Sequence, residues 1–444
     1  MCENENLFYI RVMYTWSDTD VMFRDALRRF IDKEVRPNID KLESAELPPF
    51  GILRKLYATF GLDEMARESL EKALAREAAD GQDTHDAATE ADGASGRSAD
   101  LGSMAALMNI ELAGASLGMV VSMGVSVGLA VGTIRSRGTL AQKKRWLPEL
   151  VTLEKVGAWA ITEPDSGSDA FGGMKTYVRR DGEDYILNGH KTFITNGPYA
   201  DTTVVYAKLD EAGSATGSPG HFAGSAPAVD RRDRKVLSFV LDKGMEGFTQ
   251  SKPFKKMGMN SSPTGELFFE NVRITPDRLL GETETPAKGD GKSSARDAFS
   301  AERIGIAYLS LGIIDECRRL SIEYAKSRKL WGQEIGRFQL IQLKLAEMEI
   351  ARINVQNMIF SSLERSRDGV PVSLAEASAM KLYSSRAATE VAMEAVQLFG
   401  GNGYMAEYRV EQLARDAKSL MIYAGSNEVQ VTHIAKGLLG TAAK

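Results

Sequence analysis

The spacing of apolar residues along the chain changes twice. Between Asp18 and Leu42 apolar side chains recur on one helical face, and helical patterning returns up to about Leu153. Between Trp159 and Ile274 the period becomes two residues, which is typical of half-buried β-strands. Past residue 294, apolar residues again step by three, four or seven. This order predicts an α+β protein in which a β domain separates two helical domains.

The composition shifts place the domain boundaries. We predict an N-terminal helical domain over 1–155, a central antiparallel β domain over 156–284 and a C-terminal helical domain over 295–444. Residues 78–102 are polar and small, and they predict a loop or linker inserted in the first domain. The loops 210–234 and 281–294 are further polar insertions with no assigned function.

Two dipeptides inside the β region are turn signals. Asp181-Gly182 and Asn188-Gly189 each separate stretches of alternating apolar and polar residues. We therefore expect a chain reversal at both places.

One segment is apolar enough to imitate a membrane span. Residues Leu112 to Ile134 carry no charge and are long enough to cross a bilayer. Glycines such as Gly114 and Gly118 recur at spacings of three and four, which suits close helix crossing in lipid or in a soluble core. Because the ends lack aromatic anchors, we predict buried helices of a soluble protein.

Charge and cysteine content exclude several classes of protein. The 444 residues carry a net charge of -5 with both signs interspersed, so no basic stripe suits nucleic acid or an anionic membrane. Cys2 and Cys317 cannot form a disulfide framework. The acidic start MCENEN differs from a signal or transit peptide. We expect a reducing, cytoplasmic location.

The inventory of reactive side chains is sparse. The four histidines lie far apart, and no carboxylate shares metal-ligand spacing with them, so we expect no metal site. The stretch ITEPDSGSD, Ile161 to Asp169, is dense in hydroxyl and backbone N–H donors. Alone it is typical of a plain turn, or of the edge of a polar ligand or phosphate.

Further motifs follow ITEPDSGSD in order. They read NGHKTFITNG, SRKLWGQEIGRFQ, QLFGGNGYMAEY, RDAK and IYAGSNEVQ. Together, from Asp18 to Leu439, the motifs resemble those of the acyl-CoA dehydrogenase family. The resemblance implies an N-terminal helical domain, a central antiparallel β domain and a C-terminal four-helix bundle. It also implies that FAD and an acyl-CoA thioester bind between these three domains.

The resemblance implies a set of cofactor contacts. They are Thr162, Ser168, Phe193, Thr195, Arg328, Trp331, Gln339, Gln397, Gly401, Ser426 and Glu428. Thr162 and Thr195 are expected beside the flavin ring, and Phe193 over its face. Arg328 is expected to reach the FAD diphosphate of a neighbouring subunit, where a guanidinium suits phosphate oxygens. Without the resemblance, these residues read as helix caps or surface polar groups.

The position before Gly425 is the unusual one. Many family members carry a catalytic glutamate there, whereas this chain has Ala424. In the isovaleryl and long-chain branches the base comes instead from the first helix of the C-terminal domain, directly before an arginine. Here SAERIG places Glu302 and Arg303 at that alternative position.

These positions imply a distribution of catalytic roles. Glu302 is the expected base, and Ala424 retains only its backbone N–H, which is expected to bind the thioester oxygen. Ser168 and Arg303 are also expected to contact the substrate.

The implied reaction is FAD-dependent α,β-dehydrogenation of an acyl-CoA to the trans-2-enoyl-CoA. Electron-transfer flavoprotein is the expected electron acceptor, and a homotetramer the expected assembly, with a homodimer or heterotetramer as alternatives. Two other functions stay open at this point. One is a flavin oxidase or monooxygenase of the same superfamily, and the other is a non-catalytic subunit of a hetero-oligomeric dehydrogenase.

Overall fold

The computed structural model describes residues 14–79, 95–210, 230, 232–285 and 291–440. Its elements run from helices through a sheet to helices again, which confirms the predicted fold class.

The first helical part is made of short and medium helices. They are α1 (Asp18–Phe30), α2 (Ile39–Glu43), α3 (Phe50–Phe60), α4 (Leu62–Ala79), α5 (Ser95–Ala115), α6 (Leu117–Met123), α7 (Val131–Arg137) and α8 (Leu140–Val151). Helix α1 begins at a capping box, because the Ser17 hydroxyl accepts the Asp20 N–H while the Asp20 carboxylate accepts the Ser17 N–H. Helix α5 begins inside the interval 78–102 that we predicted as an insertion, and residues 80–94 lie outside the described part.

The membrane-like segment lies within the protein. Leu117–Arg137 is long and apolar enough to cross a bilayer, yet 61 % of its most apolar window is buried inside the molecule. Its burial fits a core helix better than a span. Of the glycines in the segment, Gly118 is a close contact, because an added Cβ would lie 2.4 Å from Ser261 Oγ, whereas Gly124, Gly128 and Gly132 have nothing within 4 Å.

The central part is one seven-stranded sheet. Its strands are β1 (Gly157–Ala160), β2 (Tyr177–Asp181), β3 (Asp184–Thr195), β4 (Thr202–Leu209), β5 (Val236–Asp242), β6 (Phe248–Gln250) and β7 (Thr264–Ile274). The spatial order is β1-β4-β2-β3-β7-β6, and β5 pairs with β4. Most pairs are antiparallel, as predicted, but β4 runs parallel to both β1 and β2.

The turn that we predicted at Asn188-Gly189 is wrong. Strand β3 continues through both residues, and its register to β7 shifts between Leu187 and Gly189, which marks a β-bulge. A Cβ added at Gly189 would lie 2.4 Å from Oγ1 of Thr176, the residue directly before β2, so close approach of the Thr176 side chain requires glycine here. The turn predicted at Asp181-Gly182 is confirmed between β2 and β3.

The C-terminal part is built on long helices. Its elements are α9 (Gly291–Ser327), β8 (Lys329–Leu330), β9 (Gln333–Glu334), α10 (Gln339–Arg367), α11 (Leu374–Phe399), α12 (Val410–Ser419) and α13 (Asn427–Leu438). Helix α9 packs on α10 and α11 within the bundle and on α5 of the first part. One apolar core is therefore shared by both helical parts.

Two features fix α9 against the N-terminal helices. At the crossing with α5, an added Cβ on Gly312 would lie 2.2 Å from the Ile110 carbonyl oxygen. One turn further along α9, the buried Glu316 pairs with Arg36 (Nη1 to Oε1, 2.7 Å) and Arg319 (Nε to Oε2, 2.9 Å). Burial alone would raise the pKa of Glu316, but the bonds from both guanidinium groups outweigh it and hold the pKa at about 2.

We expect Gly312→Ala to destabilise the protein. The extra methyl group forces α5 and α9 apart, and overpacking of this kind costs roughly 1–3 kcal/mol. Gly305→Ala is the matched control, because it lies on the same helix with nothing within 4 Å of its added Cβ. Urea unfolding measures both free energies. Equal stability of the two variants would contradict the tight crossing.

We expect Glu316→Gln to destabilise the protein at pH 7, by roughly 2–4 kcal/mol for a carboxylate with a depressed pKa. The pKa of Glu316 is lowered on folding, so its contribution is full above about pH 4.5 and disappears as pH falls towards 2. The stability difference between wild type and variant should therefore shrink across that range. A difference that is constant with pH would show that Glu316 is not ionised in the folded state.

Candidate active site

Glu302 and Arg303 lie near the start of α9 and are shielded from solvent. Glu302 is half-buried, and Arg303 is buried with its Nη1 3.2 Å from Ser378 Oγ on α11. Burial raises the pKa of Glu302 to about 7, although the positive charges of Arg303 and Lys381 oppose that rise. The pKa of this carboxyl group therefore lies near neutrality, unlike that of the solvated pair typical of Glu-Arg on a helix.

The turn before α13 lies beside these residues. Ala424 and Gly425 both have left-handed backbone angles, with φ of 56° and 78°. Gln430 Nε2 donates to their carbonyl oxygens at 3.1 and 2.7 Å. A Cβ added to Gly425 would lie 3.8 Å from Arg303 Nη2, which places the Arg303 guanidinium against the turn.

The N–H of Ala424 is available to a ligand. Within the described part of the chain it donates to no protein acceptor. An unpaired backbone donor in a partly buried turn needs a partner, and a ligand oxygen would supply one. Glu302 also contributes, after burial itself, to the raised pKa of the adjoining Tyr423, which shows that the base and this turn are close together.

The ITEPDSGSD loop follows β1 and is held by hydrogen bonds from strand β3. Lys191 has no solvent access and donates to the Ile161 carbonyl and to Glu163 Oε1, both at 2.9 Å. The Thr192 N–H donates to the Thr162 carbonyl at 2.9 Å, which joins the loop to β3. Sequence reasoning missed the Lys191–Glu163 pair, because the two residues are 28 positions apart.

The polar groups expected beside FAD are free on this surface. Among the described residues, the hydroxyls of Thr162, Ser168 and Thr195 make no hydrogen bond to protein. Phe193 projects with 65 % of its surface exposed, because its φ of 56° interrupts the pleat between Lys191 and Ile194. Hydroxyl donors beside an uncovered aromatic ring fit a planar flavin with a polar edge.

One apolar contact links this loop to the base. Phe299 lies one turn before Arg303 on α9, with the Arg303 guanidinium 5.8 Å from its ring centre. The same ring packs on the apolar cluster that contains Ile161 and Phe171, at the two ends of the loop. The structure therefore brings the loop, Glu302, Arg303 and the Ala424 turn into one region.

Ser426 and Glu428 belong to the same region. Ser426 precedes the first residue of α13, and Glu428 lies exposed in its first turn. A helix N-terminus favours the negative charge of a phosphate.

Other predicted cofactor residues lie elsewhere. Arg328 is 26 residues beyond Glu302, which corresponds to about 39 Å along a helix. Around it, Tyr324 stacks on Phe399 with ring centres 4.0 Å apart. The predicted residues at this end of the bundle are Arg328, Trp331, Gln339, Gln397 and Gly401. All five are exposed, and Trp331 is 87 % exposed.

The two groups of predicted cofactor residues lie far apart within the chain. About 39 Å along α9 separates Arg328 from Glu302. Arg328 and its neighbours therefore form a second exposed group, distinct from the residues near Glu302.

Two buried polar residues near the base were also missed by sequence reasoning. Lys381 and Gln430 have no solvent access and bond the carbonyls of the Ala424–Gly425 turn. A signal for Lys381 existed, because it interrupts an apolar stripe of α11 at helical spacing between Ala377 and Ala388. No group of three or more potential metal ligands occurs among the described residues.

Family models match most of the chain. They are described as the acyl-CoA dehydrogenase N-terminal domain (residues 62–154), middle domain (158–272) and C-terminal domain (289–439).

Curated relatives and solved structures agree with these matches. An acyl-CoA dehydrogenase of Bacillus subtilis is 33 % identical over 95 % of this chain and 98 % of its own length. Isovaleryl-CoA dehydrogenase of Oryza sativa is 31 % identical over 95 % of this chain and 92 % of its own. A glutaryl-CoA dehydrogenase of Mycobacterium smegmatis, solved with FADH2, superposes with a TM-score of 0.74 at 26 % identity, covering 96 % of each chain.

The matches extend over all three parts of the fold and over the region around Glu302. The chain therefore belongs to the acyl-CoA dehydrogenase family of FAD-dependent oxidoreductases.

Proposed function

We propose that this enzyme converts an acyl-CoA thioester to the trans-2-enoyl-CoA, with Glu302 as the catalytic base. The observation that carries the proposal is the position of Glu302. It is the carboxylate beside the Ala424 turn, it is half-buried, and its pKa is raised to about 7. Ala424 itself offers no side chain that accepts a proton.

In this proposal, one residue of the chain accepts the proton and others stabilise the developing negative charge. The Glu302 carboxylate takes the α-proton, for which a pKa near neutrality is well matched. The Ala424 N–H donates to the thioester oxygen and stabilises the negative charge that develops there. The buried Arg303 supplies a positive charge beside both groups. When bound, FAD supplies the acceptor for the β-hydrogen and its electron pair.

The cofactor residues support an assembly in which subunits share their sites. Thr162, Ser168, Phe193 and Thr195 would hold the flavin half from the β domain. Arg328, Trp331, Gln339, Gln397 and Gly401 would hold the other half of a neighbour's FAD, from the far end of α9. We propose a homotetramer with electron-transfer flavoprotein as electron acceptor and a cytoplasmic location.

Anaerobic titration of the purified protein with saturated acyl-CoAs of different chain length tests the proposed reaction. We expect the protein to carry FAD and at least one acyl-CoA to bleach the flavin absorbance. A protein without FAD, or with FAD that no acyl-CoA bleaches, would support a non-catalytic subunit. Rapid reoxidation of the reduced flavin by air would indicate an oxidase.

We expect Glu302→Gln to bind FAD and acyl-CoA almost normally and yet to lose flavin reduction by about two to four orders of magnitude, the usual contribution of a positioned base. The amide keeps the size of the side chain but accepts no proton. Glu323→Gln is the control, because it is an exposed glutamate on the same helix. Anaerobic stopped-flow absorbance measures the rate, and a wild-type rate in Glu302→Gln would assign the base elsewhere.

The same measurement should depend on pH. Glu302 must be deprotonated to act, so flavin reduction in the wild type should rise as pH increases through about 7. A rate that is flat between pH 5.5 and 8.5, roughly 1.5 units either side of that pKa, would contradict a base with a raised pKa.

We expect Arg328→Ala to weaken FAD retention and subunit assembly together. The guanidinium is exposed at the far end of α9, where it would reach a phosphate in another chain. Lys329→Ala is the matched control, since it removes an exposed positive charge from the next position. Flavin content and mass photometry report the two effects, and an intact flavinated oligomer would disprove the assignment.

A further inference from the structure

Lys381 is a lysine without solvent access on α11, directly beneath the Ala424–Gly425 turn. Its Nζ donates to the Gly425 carbonyl at 2.9 Å and to Asn427 Oδ1 at 2.8 Å. Ser385 Oγ donates to the same Asn427 oxygen at 3.1 Å. Burial of an ammonium group is unfavourable unless bonds and opposite charges compensate for it, and both hydrogen bonds of Lys381 described above go to the turn and the first residue of α13.

The bonds from Lys381 and Gln430 restrain a strained turn. A left-handed conformation is unfavourable for a non-glycine residue such as Ala424, because its Cβ crowds the following carbonyl oxygen. The carbonyls of Ala424 and Gly425 are bonded to side chains of α11 and α13. In the described part of the chain, the N–H groups of these two residues have no protein acceptor. The turn is thus fixed through its carbonyls while its donors stay available.

The charges around Lys381 connect it to the base. Burial and then the like charge of Arg303 lower the pKa of Lys381 to about 8, whereas Glu428 and Glu302 oppose that change. Arg303 bonds Ser378, one turn before Lys381 on the same helix. At neutral pH two buried cations therefore lie beside the site where negative charge would develop.

We propose that Lys381 is a positioning residue of the active site. It fixes the left-handed turn that offers the Ala424 N–H, and its charge favours the enolate form of the bound acyl group over neutral forms. The inference rests on the proposed function and adds a residue to it. Lys381 exchanges no proton with the substrate: the α-proton goes to Glu302, and the β-hydrogen leaves with its electron pair to FAD.

A comparison of two ligands of equal chain length distinguishes a preference for the enolate from a general effect on ligand binding. A 3-oxoacyl-CoA carries an acidic α-carbon between two carbonyl groups and can form an enolate, whereas the acyl group of a trans-2-enoyl-CoA stays neutral. Isothermal titration calorimetry of the flavinated protein gives a Kd for each ligand. Lys381→Met should weaken binding of the 3-oxoacyl-CoA about tenfold to a hundredfold, because it removes both the buried charge and the charge-assisted bond that fixes the Gly425 carbonyl, and it should weaken binding of the neutral enoyl-CoA less than about threefold.

Three further variants complete the test. Lys381→Arg should restore most of the enolate preference, because it keeps the charge. Lys381→Gln, which keeps a donor without the charge, should fall between wild type and Lys381→Met. Lys143→Met removes an ion-paired lysine that contacts Glu77 in the first helical part, and it should change neither Kd.

The possible outcomes are distinct. The inference would be overturned if Lys381→Met weakened binding of both ligands equally, so that the ratio of the two Kd values stayed as in the wild type. It would also be overturned if all three Lys381 variants lost FAD, because that result would show a purely structural role. If an acyl-CoA bleaches the wild-type flavin but the ratio of the two Kd values is the same in Lys381→Met as in the wild type, only the role of Lys381 fails. If no acyl-CoA bleaches the wild-type flavin, the proposed function and this inference fail together.

Discussion

The close packing of α9 against α5 and α11 is the constraint on which the site depends. This one helix of 37 residues carries Glu302 near its start and ends directly before Arg328. Between them, Gly312 allows the backbones of α5 and α9 to touch, and Glu316 ties α9 to Arg36. Because the middle of α9 is fixed in this way, both of its ends are held in place. Under the proposed function and assembly, the same packing positions the base in one site and a phosphate contact in the next.

The chemistry depends on a local arrangement at the start of that helix. Glu302 is poised near neutrality because burial outweighs the nearby cations Arg303 and Lys381. The facing turn carries no side-chain base at position 424, where the residue is alanine, and in the described part of the chain the Ala424 N–H donates to no protein acceptor. Under the proposed function, a carboxylate from a helix and an N–H from a turn would act on one substrate from separate elements. The requirement is a geometry around the α-carbon, which more than one backbone position can satisfy.

The fold class was predictable from sequence because local patterns carry it, and the change of period marks the β domain. Ala424 together with Glu302 is the local pattern on which the prediction of the base rests. The bulge at Gly189 was not predictable, since Asn-Gly suits a turn as well, and the deciding contact is Thr176, directly before strand β2. Lys381 was missed for the same reason, because its partners Gly425 and Asn427 are more than 40 residues away. Non-local contacts account for each of these failures.

The exchange of the base between its two positions tests the account most directly. In the variant Glu302→Gly with Ala424→Glu, the carboxylate moves from α9 to the turn while the remaining residues of the site stay unchanged. Anaerobic stopped-flow reduction of the flavin by the best acyl-CoA should be partly restored relative to Glu302→Gly alone, and Ala424→Glu should not restore it when Lys381 is also replaced by Met. A flavinated double variant that is no faster than Glu302→Gly would contradict the claim that both positions face the same α-carbon.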